Sequence, residues 1–124
     1  MPAAMKPIRK VLIANRGEIA CRIARTCRRL GMAVAGVHSS ADARARHVRE
    51  LGESHLIGDA APSASYLNVE AIIAAARRAG ADAIHPGYGF VSENPAFVRA
   101  VEAAGLVFIG PTAETMERLG GKAS

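Results

Sequence analysis

The residues of this chain best suited to chemistry lie in two short stretches, Asn15-Arg16-Gly17-Glu18 and His85-Pro86-Gly87-Tyr88-Gly89-Phe90-Val91-Ser92-Glu93-Asn94. Each follows a short apolar run and precedes an amphipathic segment, the place where an α/β sheet presents ligands or a partner domain. Glycine permits positive φ and close backbone approach, and a helix start just behind it offers unpaired N–H groups. Arg16 and Glu18 have two readings. They hold the first turn by pairing with each other or with neighbouring loops, or they contact a ligand or partner domain. In the second stretch Pro86 keeps His85 extended and so ends the strand. Gly87 and Gly89 bracket Tyr88 and push its ring up from the sheet edge. Tyr88 and Glu93 are expected on an exposed functional face, while local packing and exposure remain equal alternatives for Phe90.

Several chemistries are excluded by spacing. The first turn has neither the G-x-G-x-x-G of a dinucleotide site nor the G-x-x-x-x-G-K-[ST] of a phosphate loop, which disfavours NAD. His38, His47, His55 and His85 show no metal-ligand spacing, and His38 and His85 are expected to be hydrogen-bonded structural residues at strand ends. No Ser-His-Asp or Cys-His set and no carboxylate pair can be assembled. Cys21 and Cys27 share one helix, about 9 Å apart along its axis, so they read as buried thiols rather than a disulfide.

Composition bounds the rest. The chain has 124 residues, half of them apolar, with 4% aromatics and no Trp, enough for one domain whose core is built from Ala, Val, Ile and Leu. The formal charge of +5 comes mainly from arginine. Without interleaved aromatics or a groove-reading motif it does not point to nucleic acid. No apolar run approaches a membrane span, and the opening residues lack a secretory h-region, so a cytoplasmic location is expected.

Those turns need elements to hold them. Residues 10–14 form a continuous apolar run, as in a strand covered on both faces. A helix over 18–30 follows, with Ile19, Ala20, Ile23, Ala24, Cys27 and Leu30 as its apolar stripe and Gly31 as its stop. Arg22, Arg25, Arg28 and Arg29 lie outside that stripe, read as a solvated face, a subunit interface or a phosphate-contacting surface. Strands are expected at 33–37, 55–57, 83–85 and 107–109. Between them lie a turn and short basic helix over 39–51, a helix capped by Asn68 through Ala79, and a helix capped by Asn94 through Ala104, with Pro95 at its first position. A last helix is expected over 112–119. The alternation predicts a Rossmann-like, doubly wound α/β domain with a mainly parallel sheet and right-handed crossovers, filling residues 1–124 as one domain. The ending Gly120-Gly121-Lys122-Ala123-Ser124 reads as the start of a connection.

The strings KVLIANRGEIA (10–20), VHSSAD (37–42), SYLN (65–68), AIHPGYGFVSEN (83–94) and FIGP (108–111) resemble the N-terminal domain of biotin carboxylase, in order and over nearly the whole chain. The resemblance implies a pre-ATP-grasp domain. In that family ATP and bicarbonate give carboxyphosphate, magnesium ions bridge the phosphates, and the carboxyl group passes to N1 of biotin on a carrier protein. The implied partners are the ATP-grasp domain of the same enzyme, a biotin carboxyl carrier protein or domain, and a carboxyltransferase subunit. The acid–base, bicarbonate and metal residues of the family lie outside these 124 residues, so no catalytic residue is expected here and the isolated chain is expected to be inactive.

By the same resemblance Lys122 stands where a family lysine reaches ATP phosphate. The chain has Gly120-Gly121-Lys122 where Gly-Asp-Lys is common. Tyr88, Gly89, Glu93, Arg16 and Glu18 become candidates facing the carboxylation site. Arg29 stands where an acidic residue could pair across a two-fold axis, so like charges would oppose the dimer that bacterial members form through this helix. The rival class is a stand-alone nucleotide- or protein-binding module of the same fold without catalysis.

Overall fold

The computed structural model describes residues 7–110. Among the described residues five strands and four α-helices alternate: β1 (Lys10–Ile13), α1 (Gly17–Arg29), β2 (Ala33–Ser39), α2 (Arg46–Leu51), β3 (Ser54–Gly58), α3 (Val69–Ala79), β4 (Ala83–His85), α4 (Pro95–Ala103) and β5 (Val107–Phe108). Every strand pair is parallel, in the order β3-β2-β1-β4-β5. Leu12 on the central strand faces Ala35 on one side and Ile84 on the other. The order reverses at β1: β2 and β3 extend the sheet one way, β4 and β5 the other.

This topology explains the continuous apolar run in β1. Val11, Leu12 and Ile13 are all fully buried, but they feed two different cores. Leu12 packs with Ala35, Val37, Ile72, Ile84, Phe97 and Val101 beneath α3 and α4. Val11 and Ile13 pack with Ala20, Ala24, Cys27 and Val34 beneath α1, and Leu51 of α2 joins them. A strand with helices on both faces has no side left for polar residues.

Local signals behave as expected at α3 and α4. Asn68 Oδ1 accepts from Ala71 N at 3.1 Å and Asn94 Oδ1 from Ala96 N at 3.0 Å, each taking up a helix-start N–H. Gly80 closes α3 in the left-handed conformation at φ +69°. Strand β2 runs two residues beyond its expected end, to Ser39, because β3 pairs with it as far as Gly58. The 39–51 region is a single 3₁₀ turn over Ser40–Asp42 and then α2. The expected helix over 112–119 lies outside the described residues.

The stripe expected on α1 is corrected. Ala20, Cys21, Ala24 and Cys27 are its buried residues, while Ile19 and Ile23 are half-buried and Leu30 is 70% exposed. Small side chains let the helix sit close to the sheet, and the larger ones lie to one side of that contact. Both cysteines are free and buried, and burial, with Glu50 nearby, pushes the Cys21 thiol up to about 11. Such a thiol is inert. The arginines of α1 also have a use that the sequence reading did not foresee. Arg25 pairs with Glu50 at 2.9 Å, and Arg28 donates to the carbonyls of Glu50 and Leu51 at 3.1 and 2.9 Å. A cation there meets the negative end of α2 and ties the two helices together.

Candidate functional site at the switch-point edge

Strands β1 and β4 are neighbours, so the turns that follow them, 14–17 and 86–94, emerge side by side. They lie at the carboxyl end of the sheet where the strand order reverses, which is the ligand-facing crevice of open α/β sheets. Ala14 N donates to His85 O at 2.9 Å, continuing the ladder to the mouth of both turns.

The first turn is held from three sides. Arg16 reaches across to Asp42 in a two-pronged ion pair, Nε to Oδ2 at 2.6 Å and Nη2 to Oδ1 at 2.8 Å. Tyr66 Oη–H donates to the same carboxylate at 2.7 Å and accepts from Ser39 N at 3.2 Å. The guanidinium, followed by the Tyr66 hydroxyl, holds the Asp42 carboxyl at about 2. Burial, with Asp42 adding to it, pushes the Tyr66 phenol up to about 12. Gly17 N, at the start of α1, donates to Nδ1 of fully buried His47 at 3.2 Å, and His47 Nε2 is bonded to Val37 O at 3.0 Å. This N–H is one a nucleotide phosphate would seek in a Rossmann site, and a histidine already occupies it. The geometry agrees with the missing glycine fingerprint.

Arg16 and Glu18 do not pair with each other; each pairs elsewhere within the domain. Arg16 binds Asp42, whereas Glu18 pairs with Arg25 at 3.4 Å and Arg46 at 3.7 Å, not with Arg16. These Glu18 pairs are exposed and contribute little to stability.

The second turn carries the exposed candidates. Tyr88 is 75% exposed, and Gly89 and Glu93 are exposed beside it. Gly87 and Gly89 both take left-handed φ, +68° and +69°. Phe90 does so too, at +47°, which a bulky residue adopts only under constraint. Its constraint is local packing: the Phe90 ring stacks on Tyr66 at 5.1 Å between centroids and leans on the core under α3 and α4. Tyr66 therefore touches both turns, through Asp42 and through Phe90. His85 is a structural residue, its Nδ1 accepting from Gly87 N at 3.1 Å, with burial lowering its pKa. His38 likewise bonds Ser54 Oγ at 2.7 Å.

A family model described as the N-terminal domain of biotin carboxylase matches residues 7–116. This chain belongs to the biotin carboxylase N-terminal domain family. It is 55% identical over 117 residues to a biotin carboxylase of Haemophilus influenzae, covering 94% of this chain and 26% of that protein. It is 46% identical over 117 residues to the human mitochondrial propionyl-CoA carboxylase alpha chain, covering 94% of this chain and 16% of that one. Among solved structures, the pyruvate carboxylase of Rhizobium etli superposes with a TM-score of 0.91 at 44% identity, over 95% of this chain and 12% of that one. The biotin carboxylase domain of a thermophilic 2-oxoglutarate carboxylase bound to ADP superposes at 0.88 and 46% identity, over 94% of this chain and 26% of that one. The chain thus spans about a quarter of the biotin carboxylases it matches.

Within this biotin carboxylase N-terminal domain, the structure brings Arg16, Glu18, Tyr88, Gly89 and Glu93 to one edge, while Lys122 lies outside the described residues. Among the described residues no group of three His, Cys, Asp or Glu side chains could hold a metal ion, and no helix is long and apolar enough to cross a membrane. The sequence does not mark Asp42, Tyr66 or His47 as site residues, and marks Asn15 only as a member of the first turn. The string VHSSAD contains Asp42, but nothing in its spacing shows that it meets a residue 26 positions earlier.

Proposed function

We propose that this chain is the N-terminal part of a biotin carboxylase, which uses ATP and bicarbonate to carboxylate biotin on a carrier protein, and that alone it has no turnover. The observation that carries this reading is the pairing of the family's turn sequences with a shared exposed edge at the switch point of the sheet. The described residues fit a supporting role rather than a nucleotide cradle. Gly17 N is engaged by His47, and the Nε and Nη2 donors of Arg16 by Asp42, so these groups are committed to holding the first turn. The side of the edge carrying Tyr88, Gly89 and Glu93 faces the carboxylation site, with Arg16 holding the adjoining turn through Asp42 and Glu18 exposed at the same edge. In the whole enzyme ATP supplies the phosphoryl group that activates bicarbonate, and Mg²⁺ screens its charge. Lys122 donates to an ATP phosphate from the junction with the ATP-grasp domain, as a point charge. The partners are that ATP-grasp domain, the biotin carrier and a carboxyltransferase, and the location is cytoplasmic.

The test is a hybrid enzyme in which this chain replaces the matching N-terminal quarter of the Haemophilus influenzae biotin carboxylase. The hybrid is expected to release phosphate from ATP in a biotin-dependent way, with bicarbonate and magnesium present. The isolated chain under the same conditions should release none above a blank. Turnover by the isolated chain, or a folded but inactive hybrid, would defeat the proposal. In the active hybrid, Lys122→Ala should raise the KM for ATP about tenfold, the loss of one charge-assisted hydrogen bond. Unchanged ATP kinetics would remove Lys122 from the site.

A further inference from the structure

Asn15 is a polar side chain that is only 1% exposed, at the end of the central strand. Its amide Nδ2 donates to Pro86 O at 2.8 Å and to Tyr88 O at 2.7 Å, and its Oδ1 accepts from Arg16 N at 2.8 Å. Two carbonyls and one N–H fix the amide's orientation, since only the NH₂ end can serve both carbonyls. Both hydrogens of that NH₂ are spent on the backbone on either side of Gly87. The turn is seated on Asn15 sterically as well. A Cβ at Gly87 would stand 2.7 Å from Asn15 Nδ2 and 3.0 Å from Ile19 Cγ2, and Gly87 is at φ +68°. The Tyr88 ring stands out from the edge, so its place is set by the backbone that carries it rather than by packing of the ring.

We infer that Asn15 is a positioning residue that clamps the Gly87-Tyr88-Gly89 turn to the first turn and so sets where Tyr88 stands at the carboxylation site. This rests on the biotin carboxylase reading above. The clamp acts through backbone carbonyls, so aspartate, similar in size and still able to accept from Arg16 N, cannot replace it. Its second oxygen would face two carbonyl oxygens. A displaced turn moves Tyr88 without touching the groups that hold ATP, and misplacement by about 1 Å costs on the order of 10²-fold in rate.

The test is a double-mutant cycle in the hybrid enzyme, with Asn15→Asp, Tyr88→Ala and the pair. Asn15→Asp should lower kcat/KM for biotin about 10- to 100-fold while the KM for ATP stays within about twofold. Once Tyr88 is removed, Asn15→Asp should have little further effect, because both changes act through one group. Multiplying losses in the pair, or equal damage to the biotin and ATP constants, would overturn the inference and leave Asn15 a general stability residue. Gly87→Ala attacks the same contact from the turn and should reproduce the biotin-specific loss. Failure of both variants to fold would also overturn it. Amide hydrogen exchange across 86–94 reads the clamp without turnover. Faster exchange there in Asn15→Asp is expected, and unchanged exchange would refute the clamp even in a hybrid with no activity. A hybrid whose wild-type form is folded but inactive counts against the proposed function instead.

Discussion

Gly58→Ala is expected to cost the domain about 3 kcal/mol or more, a large part of the stability of a typical small domain. Gly58 ends β3 at φ +149°, and a Cβ built there would overlap the carbonyl group of Ala64. The obstacle is backbone, held in the 3₁₀ turn Pro62–Ala64 by Ala64 N and Ser65 N bonding to Ala61 O and Pro62 O, so it cannot swing aside as a side-chain tip would. The consequence reaches the candidate site, because Ser65 leads directly into Tyr66. Pushing this segment outward would pull the Tyr66 hydroxyl from Asp42 and its ring from Phe90. Urea unfolding followed by circular dichroism should show the midpoint falling by about 1 M or more. A midpoint within a few tenths of a molar of the parent would mean that the 58–65 approach is not rigid.

Asp42→Ala is the second large effect, expected at about 2–3 kcal/mol. The substitution removes both prongs of the Arg16 pair and leaves the buried Tyr66 hydroxyl without its acceptor. The effect depends on pH in a defined direction. The carboxyl titrates at about 2 in the folded chain against 3.8 ordinarily, with the Arg16 hydrogen bond the largest cause. A depressed folded pKa gives stabilisation that is complete above the unfolded value and disappears as pH falls through the folded one. The stability gap between parent and variant should therefore stay constant from neutral pH down to about 5 and shrink between about 4 and 2. The Arg16 side chain is 47% exposed, so solvent screening limits the pH-dependent part to on the order of 1–2 kcal/mol. A gap that does not change between pH 7 and pH 2 would show that the pair contributes nothing through its charge.

Both predictions concern the same design. The exposed candidates Tyr88 and Glu93 sit on a turn whose shape is dictated by groups beneath it. Asn15 holds its carbonyls, Phe90 anchors its far side, and Tyr66 connects that anchor to the ion pair at the first turn. A rim built this way can present side chains to a neighbouring domain without spending them on its own stability, as expected where a rigid scaffold carries functional loops.

Much of this was legible in the amino-acid sequence. The apolar run at 10–14 and the caps at Asn68 and Asn94 each specify their element locally, because strand burial and helix capping depend on residues a few positions apart. The two glycine turns followed from the same local rules, and the alternation of strands and helices was enough to call for a parallel sheet with helices on both faces. The family followed from the turn strings themselves. What the sequence could not supply was long-range pairing. The order β3-β2-β1-β4-β5 is what makes turns 71 residues apart neighbours, and Asn15, Asp42 and Tyr66 acquire their roles only through that order. The exposure of Leu30 and the burial of Cys21 were decided in the same way, by which edge of α1 the sheet met. Periodicity marks a helix face, but the distance and angle of packing choose which part of that face is covered, and those belong to the folded chain as a whole.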